Sequence, residues 1–161
     1  MPRYQQTIAK TFSLKGVGLH SGEIATVTIQ PAEINMGRYF AIDDCFIPAH
    51  WQSVASTLLS TELRDPNNKN NKTVRTVEHL LAALTSMGID NARIEIDRSE
   101  LPILDGSALP WVEAIAKVGI KSQSSLTAEM VEDLKLLPAN VSVNKGDSFI
   151  VAVPSDRLRF T

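Results

Sequence analysis

"TVRTVEHLLAALTSMGIDNARIEID" (Thr73 to Asp97) changes period halfway along. From Val77 onward, Leu80, Leu81, Leu84 and Gly88 follow at the three-and-four spacing that lays one apolar stripe along a helix. Thr76 stands where an N-cap belongs, and Gly88 where a helix stops. Ile94 and Ile96 then alternate with polar residues, as a half-buried strand does. A helix feeding a strand is the unit from which the rest of the chain is read.

Upstream of it the pattern is β. "TIAKTFSLKG" (Thr7 to Gly16) is extended and "GVGLHSG" (Gly16 to Gly22) is a glycine-punctuated turn. "EIATVTIQPA" (Glu23 to Ala32) alternates Val27 and Ile29 with threonines, and "GRYFAIDD" (Gly37 to Asp44) and "SVASTLLSTEL" (Ser53 to Leu63) add two more strand candidates. "RDPNNKNNK" (Arg64 to Lys72) is a polar loop expected to leave the core. Downstream, "PILDGSALPWVEAIAKVG" (Pro102 to Gly119) carries an Asp105-Gly106 turn, Ser107 as a cap, and Pro110 in a first helical turn. Trp111, Val112, Ile115, Ala116 and Val118 would form that helix's core face, ended by Gly119. Several strands and two helices predict a two-layer α+β sandwich over residues 1–120.

"KSQSSLT" (121–127) reads as a linker. Beyond it, "NVSVNKGDSFIVAVPSDRLRFT" alternates strand and turn three times. Val141, Val143, Phe149, Val151, Val153, Leu158 and Phe160 are expected on one face, with no helix following to cover it. Residues 128–161 therefore read as the truncated start of a second α+β domain.

The chain has 161 residues, 43% hydrophobic and 21% charged, so it holds enough apolar surface for a core. A net charge of −2 excludes a global basic field for nucleic acid or an anionic membrane. No run approaches the roughly 18 apolar residues of a spanning helix, and no secretory h-region opens the chain. The single Cys45 precludes an internal disulfide and fits a reducing compartment, so a cytoplasmic location is expected.

Glu78 and His79 begin the first helix away from its stripe. With Val77 at zero, they project at about 100 and 200 degrees, in the half shared by Ala82, Ala83 and Ser86. Small residues there permit close approach by a ligand or another layer of protein. One reading makes His79 a metal ligand and Glu78 a general base on a metal-bound water. The other leaves Glu78 offsetting the helix dipole and His79 on the surface. His20 and His50 lie at no recognised ligand interval, so spacing alone does not decide.

Four stretches do more. "GVGLHSG", "TVEHLLAAL" (Thr76 to Leu84), "GIDN" (Gly88 to Asn91) and "ELPILDGSALPWV" (Glu100 to Val112) together resemble the amino-terminal domain of UDP-3-O-acyl-N-acetylglucosamine deacetylases, zinc enzymes of lipid A (lipopolysaccharide) biosynthesis. The resemblance implies two similar α+β domains with the active site in the cleft between them. It implies that Glu78 is the general base and His79 a Zn2+ ligand, with Leu59, Ser60 and Thr61 lining the substrate site. His20 and Asp105 fall in motifs near that cleft, where turn-shaping hydrogen bonds are the alternative role.

It further implies that the remaining zinc ligands, an oxyanion-stabilising Lys and a proton-donating His come from the second domain, which leaves the ligand set here incomplete. Three functions stay open at this point: a deacetylase segment with little activity alone, one subunit of a split enzyme, or a non-catalytic sugar-nucleotide or protein-binding module. Pairing with a chain that supplies the second domain is expected in the second case, and self-association is a further expectation from the uncovered apolar face of residues 128–161.

Overall fold

The computed structural model describes residues 4–65, 71–123, 137–157 and 159. These fall into two compact units, one holding the described residues from Tyr4 to Gln123 and the other those from Leu137 onward.

The first unit has an α+β fold. It opens with β1 (Gln6–Ile8), β2 (Phe12–Val17) and β3 (Ile24–Pro31), then β4 (Arg38–Ile42) and β5 (Cys45–Pro48). A short 3-10 turn at Trp51–Ser53 leads to β6 (Val54–Ser56), β7 (Glu62–Arg64) and β8 (Thr73–Arg75). Helix α1 (Glu78–Ser86), β9 (Ala92–Ile96), α2 (Leu109–Val118) and β10 (Ile120–Ser122) complete it. The main sheet has the order β2-β3-β9-β4-β5, antiparallel except for the parallel β4–β9 pair. Alternation decides its inner face. Val27 sits opposite Ile96 and Ile29 opposite Ile94, and all four are buried. Leu80, Ala83 and Leu84 of α1 with Trp111 and Ile115 of α2 complete that core. A smaller sheet of β6-β7-β8 lies before α1, and β1 pairs with β10.

The helices depart from their sequence patterns in instructive ways. Thr73–Arg75 is strand, so α1 begins only at Glu78. Thr76 does not cap it: Val77 holds the N-cap position, and the Thr76 hydroxyl instead donates to Glu100 Oε1 at 3.0 Å. Ala83 is fully buried, unlike Ala82 and Ser86. It neighbours Leu80 around the helix and joins the same core cluster. In α2, Ala116 is exposed, while Val112 and Val118 are only half-buried beside Trp111 and Ile115. Ala108 holds the N-cap position of α2; Ser107 stands one residue earlier, its Oγ accepting from the Leu109 N–H at 3.0 Å.

Two loop expectations also change. "SVASTLLSTEL" is two strands separated at Thr57–Thr61, where Leu59 takes a left-handed φ of 62°. Asp65 does not leave the core. It is buried, and the Cys45 thiol donates to its Oδ2 at 3.8 Å. Burial and the adjacent Asp65 together push the Cys45 thiol pKa up.

Lys121 and Ser122, expected in the linker, instead pair with Thr7 and Gln6 in the β1–β10 ribbon. Gln123 continues the attachment, its amide donating to the Ala32 carbonyl at 2.8 Å. Residues 124–127 lie outside the described residues.

The second unit contains a hairpin of β11 (Val141–Lys145) and β12 (Ser148–Ala152), turning at Gly146 with φ 59°. Its register pairs Val143 with Ile150 and Val141 with Ala152, which places Phe149 and Val151 on the opposite face beside Asn144 and Ser142. The single apolar face expected from the sequence is therefore divided between two faces. Leu158 and Phe160 lie outside the described residues.

Candidate active site

Four segments of the first unit converge around the start of α1. Arg75 at the end of β8 forms a parallel bridge to Glu100, its N–H donating to the Ser99 carbonyl and its carbonyl accepting from Leu101. Farther along, Gly18 bridges to Pro102, and the Ile103 N–H donates to the Val17 carbonyl. The Ser99–Ile103 stretch is thereby stitched between the glycine turn on one side and the lead-in to α1 on the other. Close approach explains Gly18: a Cβ there would lie 2.6 Å from Glu100 Oε2.

Glu78, the first residue of α1, is exposed, and its Oε2 accepts the Thr61 backbone N–H at 3.3 Å. His79 beside it is half-buried. The loop that delivers Thr61 is itself anchored. Ser60 is buried, and its Oγ accepts from Arg75 Nε at 3.2 Å and Nη2 at 3.0 Å. Leu58 and Leu59, by contrast, are 77% and 82% exposed, so this loop presents apolar side chains outward shortly before the Thr61 contact to Glu78.

Asp105 shapes its own turn. Its Oδ1 accepts from the Ser107 N–H and hydroxyl, both at 2.9 Å. Those bonds, helped by the charge of His79, hold its carboxyl below the usual range. Electrostatically, then, Asp105 belongs to the neighbourhood of His79.

His20 enters the site through its backbone. Its N–H donates to Glu100 Oε1 at 3.0 Å and Oε2 at 3.2 Å, and the Ser21 N–H donates to Oε2 at 2.6 Å. Glu100 is 1% exposed, and the Thr76 hydroxyl also donates to it. Burial would raise this carboxyl. The bonds from the Ser21 hydroxyl, the His20 and Ser21 amides and Thr76 outweigh it and bring the pKa down to about 2. Glu100 carries no signal of its own in the sequence, because a buried acid with four donors looks, in one dimension, like any acid between a strand and a helix. The nearby glycine turn was the available signal, since exposed backbone N–H groups attract a carboxylate.

Three non-glycine residues around the site have left-handed backbones: Leu59 (φ 62°), Thr76 (φ 59°) and Leu104 (φ 55°). They immediately precede Ser60, Val77 and Asp105. For a β-branched residue such as Thr76 this conformation is a true outlier.

Chemically the cluster offers an exposed carboxylate, an adjacent imidazole, a second carboxylate and an apolar loop. It does not amount to a metal centre by itself. Among the described residues no group of three or more His, Cys, Asp or Glu side chains gathers as a metal site would require. His50, the remaining histidine, is occupied elsewhere, its Nδ1 accepting from the Gln52 N–H at 3.3 Å.

A family model described as UDP-3-O-acyl N-acetylglycosamine deacetylase matches residues 5–161. Relatives named UDP-3-O-acyl-N-acetylglucosamine deacetylase include one from Trichormus variabilis, 45% identical over 161 residues, covering 98% of this chain and 55% of the relative. Another, from Thermosynechococcus vestitus, is also 45% identical, covering 98% of this chain and 53% of the relative. An Arabidopsis thaliana protein named as a probable mitochondrial deacetylase of this kind is 40% identical, covering 99% and 50%. The chain spans about half the length of the curated relatives it matches.

Proposed function

The chain belongs to the UDP-3-O-acyl N-acetylglycosamine deacetylase family, and on that footing we propose that it carries the general base of a hydrolase removing the acetyl group from UDP-3-O-acyl-N-acetylglucosamine. The observation that carries the reading is the Glu78 carboxylate, exposed at the start of α1 beside His79 and oriented by the Thr61 N–H.

In this reading Glu78 takes a proton from the attacking water as its oxygen adds to the acetamide carbonyl carbon. The carbon–nitrogen bond then breaks as the leaving nitrogen takes up a proton, returned by Glu78 or by a donor outside the described residues, giving acetate and the free amine. Thr61 fixes one carboxylate oxygen, so the base keeps a single orientation. Asp105 supplies negative charge near His79 and holds the turn that leads into α2. Leu58 and Leu59 offer apolar contact to the substrate, and the backbone of the His20 turn borders the same region.

His79 would contribute one nitrogen ligand to the zinc that the family resemblance implies. The described residues alone do not fit a zinc site, so the other ligands would come from elsewhere: a second domain, or a chain that pairs with this one. No helix among the described residues is long and apolar enough to cross a membrane, and we place the reaction in the cytoplasm. The test is steady-state deacetylation by the full-length enzyme with and without Glu78→Gln. Undiminished turnover in the variant would remove Glu78 from the role of base.

A further inference from the structure

Glu100 connects two segments that the reaction would need to keep in fixed relation. One is the His20–Ser21 turn, held through two backbone N–H groups. The other is Thr76, two residues before the proposed base. Thr76 is left-handed at φ 59°, a conformation that persists only where its surroundings impose it. The Thr76 hydroxyl bond to Glu100 is one such restraint. The neighbouring Arg75 is held twice over, by backbone bonds to Ser99 and Leu101 on either side of Glu100 and by its side chain on Ser60. Ser60 precedes Thr61, whose N–H reaches Glu78. The connections thus run from the glycine turn through Glu100 to Thr76 and Arg75, on through the loop, and back to the Glu78 carboxylate.

We propose that Glu100 is a positioning residue for the deacetylation, holding the backbone before α1 and the His20 turn so that Glu78 stays aligned with its Thr61 anchor. The inference rests on the reading of Glu78 as base. Glu100 itself has no route to substrate, being buried, with its carboxylate engaged by protein donors. A carboxylate suits the task because its two oxygens accept several N–H and O–H groups at once, which an amide side chain cannot do.

The experiment uses Glu100→Gln and Thr76→Val, with amide hydrogen exchange on this chain and kinetics on the full-length enzyme. In Glu100→Gln, the His20 and Ser21 amides should exchange roughly tenfold faster or more. The Thr61 amide, which does not touch Glu100, should speed up with them, while Val27 and Ile94 in the main sheet stay protected. Thr76→Val removes only one arm and guards against a variant that fails to fold. It should loosen Thr61 while leaving His20 and Ser21 protected. In the full enzyme both variants should lower kcat by about tenfold or more, with KM for the acylated UDP-sugar nearly unchanged.

Loosened His20 and Ser21 with an unmoved Thr61 amide, or a loss confined to KM, would overturn the positioning role and leave Glu100 as turn structure only. A wild-type enzyme with no deacetylase turnover would overturn the reading of Glu78 and with it the catalytic part of the proposal. The exchange data would then still decide whether Glu100 governs the Thr61 contact.

Discussion

The Thr61 backbone N–H reaches Glu78 Oε2 at 3.3 Å, joining a loop to the first residue of a helix 17 positions later. The contact depends on side-chain length on one side only. Glu78→Asp keeps the charge but withdraws the carboxylate by one methylene, away from Thr61. About a hundredfold loss in kcat is expected, the cost of misplacing a reacting group by roughly 1 Å. Glu78→Gln, which abolishes the base, should lose about 10²–10⁴-fold. Steady-state kinetics on the acylated UDP-sugar distinguish them; an aspartate variant as active as wild type would mean the Thr61 anchor is immaterial.

Metal content follows from ligand count. With His79 as the one imidazole expected to ligate, this chain by itself should retain well under one zinc per molecule after extensive dialysis. Elemental analysis reads this directly. Stoichiometric zinc that survives both dialysis and His79→Ala would show a site elsewhere in the chain.

Acid should weaken the fold through Glu100. Its folded pKa of about 2 lies below the ordinary 4.5, so the unfolded chain binds the proton more readily. The stabilisation is therefore complete above about pH 4.5 and is lost as pH falls toward 2. Its size is on the order of 3 kcal/mol. Urea unfolding at pH 7, 5, 4 and 3 should show that slope in the wild type. In Glu100→Gln the curve should start lower at pH 7 and be flatter below pH 5.

Gly18→Ala tests the same region sterically. A Cβ 2.6 Å from Glu100 Oε2 forces the turn or the carboxylate to move, with about 1–3 kcal/mol of destabilisation expected from the overpacking. Thermal unfolding measures it. The same substitution at Gly22, where a Cβ meets nothing within 4 Å, should cost less despite its φ of 68°.

What could be read from the chain beforehand was whatever repeats with a fixed period. Val27, Ile29, Ile94 and Ile96 declared their sheet face by alternation, and Leu80 and Leu84 their helix face. Glu78 and His79 were legible as an unusual pair outside the stripe. Propensity favours Thr76 as a cap, whereas a carboxylate 24 residues later claims its hydroxyl. Ala83 lies at the edge of the stripe, where period alone leaves open what covers it, and it joins the core. The hairpin faces were misassigned because hydrophobicity shows alternation within each strand, while the parity between strands is set by the turn at Gly146.

Removing residues 128–161 should leave the first unit folded, since its core lies wholly before Gln123. Cutting after Gly119 should not be tolerated as well. That cut deletes β10 and the Gln123 side chain, which bonds Asn91 at 2.8 Å and the Ala32 carbonyl. Melting temperatures of the two shortened chains should differ by several degrees, at about 4 °C for each kcal/mol in a domain of this size. Equal values would show that the β1–β10 ribbon is dispensable.

That ribbon also bears on timing. Gln6 faces Ser122, so β1 completes its strand pairing only after the chain has grown by more than a hundred residues, although the Asp90–Asn91 backbone reaches it earlier. Closing so long a loop is slow relative to local pairing. On the ribosome, the β2–β3 hairpin can form early, while the side of Gln6–Ile8 that β10 later covers waits as an edge open to neighbouring nascent chains. Newly made copies should therefore be at greatest risk of entangling with one another just before Ser122 leaves the exit tunnel, and pausing translation there should raise the yield of aggregated product.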